Sequence, residues 1–210
     1  MTTLLTRNGW RICFVLAGAA MLVGGPLHPA GSMAEMLADP NWFPSHTLMT
    51  IAFMLMFAGL VLWGRTGHAG NNTRRWLLPA LIATVLQSID MVFHTAAMVD
   101  HERLVAGLAT PVLTTHLWLT AVVYPIFALA IIAFLIAAGR DRVLGSWWIA
   151  WLGVLGAAGH GLAGPLVVIW EIPWAAALFP MIVLVGVWMM AAACWPANTS
   201  RQQAATMSPM

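Results

Sequence analysis

The chain has 210 residues, of which 61% are hydrophobic and 8% charged, with a formal net charge of +2. A soluble domain carries about 25% charged residues, so this composition excludes a water-soluble globule and makes the lipid bilayer the protein's solvent and principal partner. The small net charge, with no basic run and no interleaving of basic and aromatic residues, excludes a nucleic-acid partner.

A membrane-crossing helix needs about 20 mainly apolar residues. Six segments meet that need, over about 10–27, 46–63, 76–98, 112–138, 147–169 and 174–195. They predict an all-α membrane protein, a single domain over 1–195 built as a bundle of six transmembrane helices. The first segment, with Arg7 and Arg11 before a short apolar run, also has features of a signal peptide; its cleavage would leave five spans. Between spans one and two lies the longest loop, with Pro26, His28, Pro29 and Pro44. Within it 33–37 reads as a short interfacial helix, and Ser45 as the N-cap of span two. On span three, Gln87, Asp90 and His94 form one polar stripe at i, i+3 and i+7. On span four, His116, Thr120 and Tyr124 repeat every four residues. Span five carries His160 between Gly159 and Gly161, with Gly156 and Gly164 on the same face. The polar tail 196–210 is expected to be disordered.

Orientation follows from arginine. Arg7, Arg11, Arg65, Arg74, Arg75, Arg140, Arg142 and Arg201 fall at one face and only Arg103 at the other. By the positive-inside tendency both termini are cytoplasmic, and the expected location is a bacterial cytoplasmic membrane crossed several times. Tryptophan fits the same frame as an interfacial anchor: Trp10, Trp63, Trp76, Trp147, Trp148 and Trp195 at inner helix ends, Trp42, Trp170 and Trp174 at outer ones. Cys13 and Cys194 both map near the inner face. With no CxxC or CxxCH motif, zinc-finger and c-type haem readings are excluded.

Six of the seven histidines then map to the outer half. Rise per residue, ~1.5 Å, sorts them by depth: Asp90, Thr120 and His160 in a deeper layer, His28, His46, His94 and His116 in a shallower one, His101 above. Imidazole ligates metals, binds haem iron and carries protons near neutral pH. The expected site therefore faces outward. His46, His94, His116 and His160 are the candidates for a single b-type haem, and His28, His46, His94 and His116 with Asp90 the candidates for a metal ion. Asp90, Gln87, Thr120 and Tyr124 stand behind them as proton relay or supporting ligands. Asp90 and His94, at i and i+4, are in reach of each other, so the carboxylate is expected to orient that imidazole.

Three other readings stay open. The set Ser88, Asp90, His94 and the outer histidines resembles, in composition alone, the site of the alkaline ceramidase-like superfamily, which implies a zinc hydrolase; that family's H-x-x-x-H pair and seven-span layout are absent. Asp90 and His160 could serve a proton-coupled transporter component. A non-enzymatic accessory subunit with a protein partner in the membrane would use the histidines for packing alone.

Overall fold

The computed structural model describes residues 2–195. The tail 196–210, expected to be disordered and carrying Arg201, lies outside the described residues. Among the described residues the chain is all helical: α1 (Thr2–Gly24), α2 (Met33–Ala38), α3 (Trp42–Gly64), α4 (Asn71–Ala96), α5 (His101–Val105), α6 (Pro111–Asp141), α7 (Trp147–Val168) and α8 (Ile182–Cys194). A 3₁₀ turn, Ala97–Asp100, joins α4 to α5, and a longer one, Pro173–Met181, leads into α8. Five segments are long and apolar enough to cross a membrane: Trp42–Gly64, Asn71–Val105, Pro111–Asp141, Trp147–Val168 and Pro173–Cys194. Asn8–Gly24 is a shorter apolar helix.

The long helices close a ring in chain order. Each packs on the next, α1 on α3, α3 on α4, α4 on α6, α6 on α7 and α7 on α8, and α8 returns to α1. Short connections make neighbours antiparallel. The end of α1 therefore meets the start of α3, and the end of α4 meets the start of α6, at one end of the ring. At the opposite end Arg11 donates to the carbonyl of Ala193, joining the start of α1 to the end of α8. There, too, Asp141 at the end of α6 accepts from the Thr73 backbone N–H at 2.8 Å, the Thr73 hydroxyl at 2.6 Å and the Asn72 amide at 2.9 Å. One backbone N–H of the first turn of α4 that has no intrahelical partner, that of Thr73, is thus satisfied by the neighbouring helix together with two side-chain donors.

Aromatic rings fill the middle of the ring. Phe53 of α3 meets Phe127 of α6 edge to face at 5.5 Å, Trp63 meets Phe134 at 5.8 Å, and Phe14 meets Trp188 at 5.6 Å. Apolar side chains such as Leu78, Ile82, Leu129 and Leu155 point outward, where hydrocarbon replaces water as their surroundings. Glycine sets the spacing of α7. A Cβ at Gly156 would sit 2.8 Å from the Met181 carbonyl and the Val185 N–H, and one at Gly164 2.5 Å from the Thr120 carbonyl. Backbones meet there directly, the small-residue contact of helices in lipid.

Three local expectations are corrected. Helix α3 begins at Trp42, so Ser45 is no N-cap; it lies inside the helix and its hydroxyl donates to the Gly24 carbonyl at 2.8 Å. Span six begins as a 3₁₀ segment, Pro173–Met181, with Pro180 inside it removing a backbone donor and Pro173 at its first position, where none is needed. Trp10, Trp42 and Trp63 are buried rather than interfacial, whereas Trp148, Trp170 and Trp174 are exposed. Beside His160, neighbouring helices fill the space at Gly156, Gly161 and Gly164.

The segment 33–37, read as a short helix, lies in α2 and has a full capping box: the Glu35 N–H donates to the Ser32 hydroxyl and the Ser32 N–H to the Glu35 carboxylate. Leu37 of α2 packs with Trp42, Ala97 and Leu113 in a small apolar cluster that roofs this end of the ring.

Candidate metal centre

The site grows from four helix ends. His28 follows α1, His46 lies one turn into α3, His94 sits near the end of α4, and His116 lies a turn and a half into α6. Antiparallel neighbours bring these positions to one level, and the closed ring turns them inward. The ring centroids of His46 and His94 are 4.0 Å apart, those of His28 and His46 4.8 Å, and those of His28 and His94 6.1 Å. His94 in turn stacks on His116 at 3.8 Å with an interplanar angle of 26°.

Two ligand groups result, and they share a member. One ring nitrogen each from His28, His46 and His94 lie within 4.8 Å of one another, and so do one ligand atom each from Asp90, His94 and His116. Both sets are near enough to hold a metal ion after small side-chain movements. The first is the outer one, since His28 is exposed while His46 is buried. The second is deeper: Asp90 is fully buried and His116 is 4% exposed.

Hydrogen bonds fix two of the imidazoles. His46 Nδ1 lies 2.6 Å from the Trp42 carbonyl and His28 Nδ1 2.7 Å from the Pro29 carbonyl. A carbonyl only accepts, so in each ring Nδ1 carries the proton and Nε2 keeps its lone pair. This is the usual support of a metal-ligating histidine. His46 Nε2 is buried and has no partner. Loss of hydration holds the His28 imidazole below its usual pKa, with the Pro29 carbonyl acting the other way. The neutral, ligating form is the one favoured.

Asp90 does not pair with His94. Its Oδ1 lies 3.0 Å from His116 Nδ1 across the α4–α6 interface, and the expected i, i+4 bond is absent. Side chains on a helix lean toward its N-terminus, so the short Asp90 carboxylate leans away from His94, while the facing helix offers a nitrogen at its own level. His94 Nδ1 and Asp90 Oδ2 are left buried and unpartnered. Thr120 Oγ1 lies 3.3 Å from His116 Nδ1 and 3.4 Å from Nε2. Gln87, one turn deeper than Asp90, is fully buried with neither end of its amide bonded.

His160 stands apart. Its ring stacks on Tyr124 at 4.1 Å, its Nδ1–H points to the Phe179 carbonyl at 3.4 Å, and Phe53 and Phe127 close the rest of its surroundings. It makes no hydrogen bond with Asp90 among the described residues. His101 lies on α5 above the cluster, and His68 lies beyond the end of α3 at the opposite end of the ring. Ser88 turns away as well. Its hydroxyl donates to the Thr84 carbonyl, and it lines a groove on the outside of α3 and α4 with Met54, Phe57 and Val92. The serine of the ceramidase-like set is therefore not assembled with the histidines.

A haem held between two of these imidazoles does not fit. Bis-histidine ligation sets the macrocycle between two imidazoles, but His94 already lies against His116 and His46 at stacking distance, and Tyr124 covers His160. The donor set suits a bare ion: neutral imidazoles with one carboxylate are ligands for zinc and related first-row metals.

One residue of the site is absent from the sequence-based set. Trp42 packs over the cluster, its ring 4.2 Å from His46, 5.1 Å from His94 and 6.0 Å from His28, and its carbonyl orients His46. The i, i+4 spacing of Trp42 and His46 carried that signal. No protein-family model, curated protein or solved structure matches the chain.

Proposed function

We propose that this is a six-span membrane protein that binds a divalent first-row metal ion, with zinc the best match, in the outer half of its helix ring. Both termini are cytoplasmic, and the metal is met from the extracytoplasmic side. The observation that carries the reading is the set of unpartnered polar atoms. His46 Nε2, His94 Nδ1 and Asp90 Oδ2 are all buried without a hydrogen bond, and they belong to residues that also form the two ligand groups. Each such atom costs about 1–3 kcal/mol when left unsatisfied. A packing role would favour bonded pairs or apolar side chains, whereas an ion satisfies several lone pairs at once.

Sidedness rests on charge. Arg65, Arg74, Arg75, Arg140 and Arg142 lie at the end of the ring opposite the histidines, with Arg103 alone beside them. The positive-inside tendency puts the arginine-rich end in the cytoplasm.

The test is metal content. Protein purified in detergent, stripped with chelator and dialysed against Zn²⁺, should retain bound zinc by elemental analysis, and His94→Ala should retain none. Equal zinc in both, or none in the parent protein, would refute the reading and leave the accessory-subunit interpretation, in which the histidines only pack.

A further inference from the structure

The two ligand groups meet at one residue, and their surroundings differ in a directed way. The outer group, His28, His46 and His94, is built from imidazoles alone and reaches the protein surface through the exposed His28. The inner group, Asp90, His94 and His116, lies behind it, closed over by stacked rings and fully buried at Asp90. We infer that they are two successive stations for one ion, an outer station that captures it and an inner station that holds it, with His94 as the ligand common to both.

Electrostatics gives the order. An ion arriving from water still has part of its hydration shell at His28, so neutral ligands suffice there. One step inward that shell is lost, and a bare cation in low dielectric is costly unless an opposite charge accompanies it. Asp90 supplies that charge, and its Oδ2 makes no full hydrogen bond, with the Thr120 and Tyr124 hydroxyls near the carboxyl group. The transfer is a ligand exchange without redox change. The ion gives up nitrogen ligands from His28 and His46, keeps His94, and gains an oxygen of Asp90 and a nitrogen of His116. Deeper in the bundle Phe53 and Phe127 pack edge to face at 5.5 Å. Because His94 serves both stations, one ion is held at a time.

This inference rests on the metal-binding reading above, and the experiment separates the two. The full-length protein in detergent is loaded with Zn²⁺, its stoichiometry is measured, and its release to excess EDTA is timed. The parent protein should bind one ion and release it slowly. The double variant His28→Ala/His46→Ala, which keeps the inner station, should still bind one ion and release it slowly, but load it more slowly than the parent. Asp90→Asn, which keeps the outer station, should still bind one ion and release it at least about tenfold faster, the scale on which a lost supporting group weakens a metal site. His116→Gln should behave like Asp90→Asn, so that misfolding of one inner-station variant, seen by size-exclusion chromatography, leaves the other to decide. His94→Ala should bind none.

Failure of the parent protein to bind Zn²⁺ overturns the metal reading itself. Binding by the parent that is abolished in the outer double variant and in both inner-station variants would mean one composite site and overturn the two stations. Two ions bound by the parent would overturn the shared ligand.

Discussion

His116, not His94, takes the carboxylate of Asp90, at 3.0 Å across the interface of α4 and α6. The bond ties two helices together at the level where the histidines gather, and it frees His94 to face its neighbours. It also makes the two partners unequal under mutation. Asp90→Asn keeps the shape and an acceptor, whereas His116→Ala leaves a buried carboxylate without its partner. Removing one member of a buried pair costs about 3–5 kcal/mol. Thermal unfolding in detergent should therefore show a much larger loss for His116→Ala than for Asp90→Asn in the metal-free protein. Equal losses would mean that the Asp90–His116 hydrogen bond adds nothing to the stability of this interface.

The Asp141 clasp at the other end provides a control. Asp141→Ala removes the acceptor for the first turn of α4, and loss of such a cap costs about 0.5–2 kcal/mol. Its thermal stability should fall by that order while zinc content stays at the parental level. A parallel loss of zinc would mean that metal retention in detergent reports on general stability rather than on the histidines.

Helix α7 has no room for added side-chain volume. Gly164→Ala places a Cβ 2.5 Å from the Thr120 carbonyl, and overpacking of this kind costs about 1–3 kcal/mol. It also pushes on Thr120, which lies against His116. Gly107→Ala is the comparison. Its φ of 68° disfavours alanine, but no atom lies within 4 Å, so only backbone strain of about 1–2 kcal/mol is added. Unfolding temperature should drop in both variants, and only Gly164→Ala should change the rate of zinc release. Identical release rates would separate the α6–α7 contact from the site.

Sidedness is testable without metal. A reporter fused after Arg201 should behave as cytoplasmic, and one inserted within 33–39 as extracytoplasmic. Reversed activities would put the histidine cluster on the cytoplasmic side and remove the outward-facing site.

Much was determined along the chain alone. Apolar length requires helices in a membrane, because no other open structure satisfies its backbone there, and the described residues form helices and connecting turns with no strand among them. Rise per residue gives depth, so the level shared by His46, His94 and His116 is readable from their distances to helix ends. Azimuth is not. Whether inward faces coincide depends on which helices are neighbours, and that was decided by the closure of the ring, α8 back onto α1. For the same reason the sequence pointed Asp90 at the nearest histidine on its own helix, His94, whereas tertiary packing supplied His116 from another. His160 shares the depth of Asp90 yet stacks on Tyr124 instead, because one-dimensional periodicity ranks residues by height and only packing distributes them around the axis. Trp42 shows the same limit: its type marks an interface anchor, but the α3 start that precedes Ser45 turns it inward as the cover of the histidine cluster.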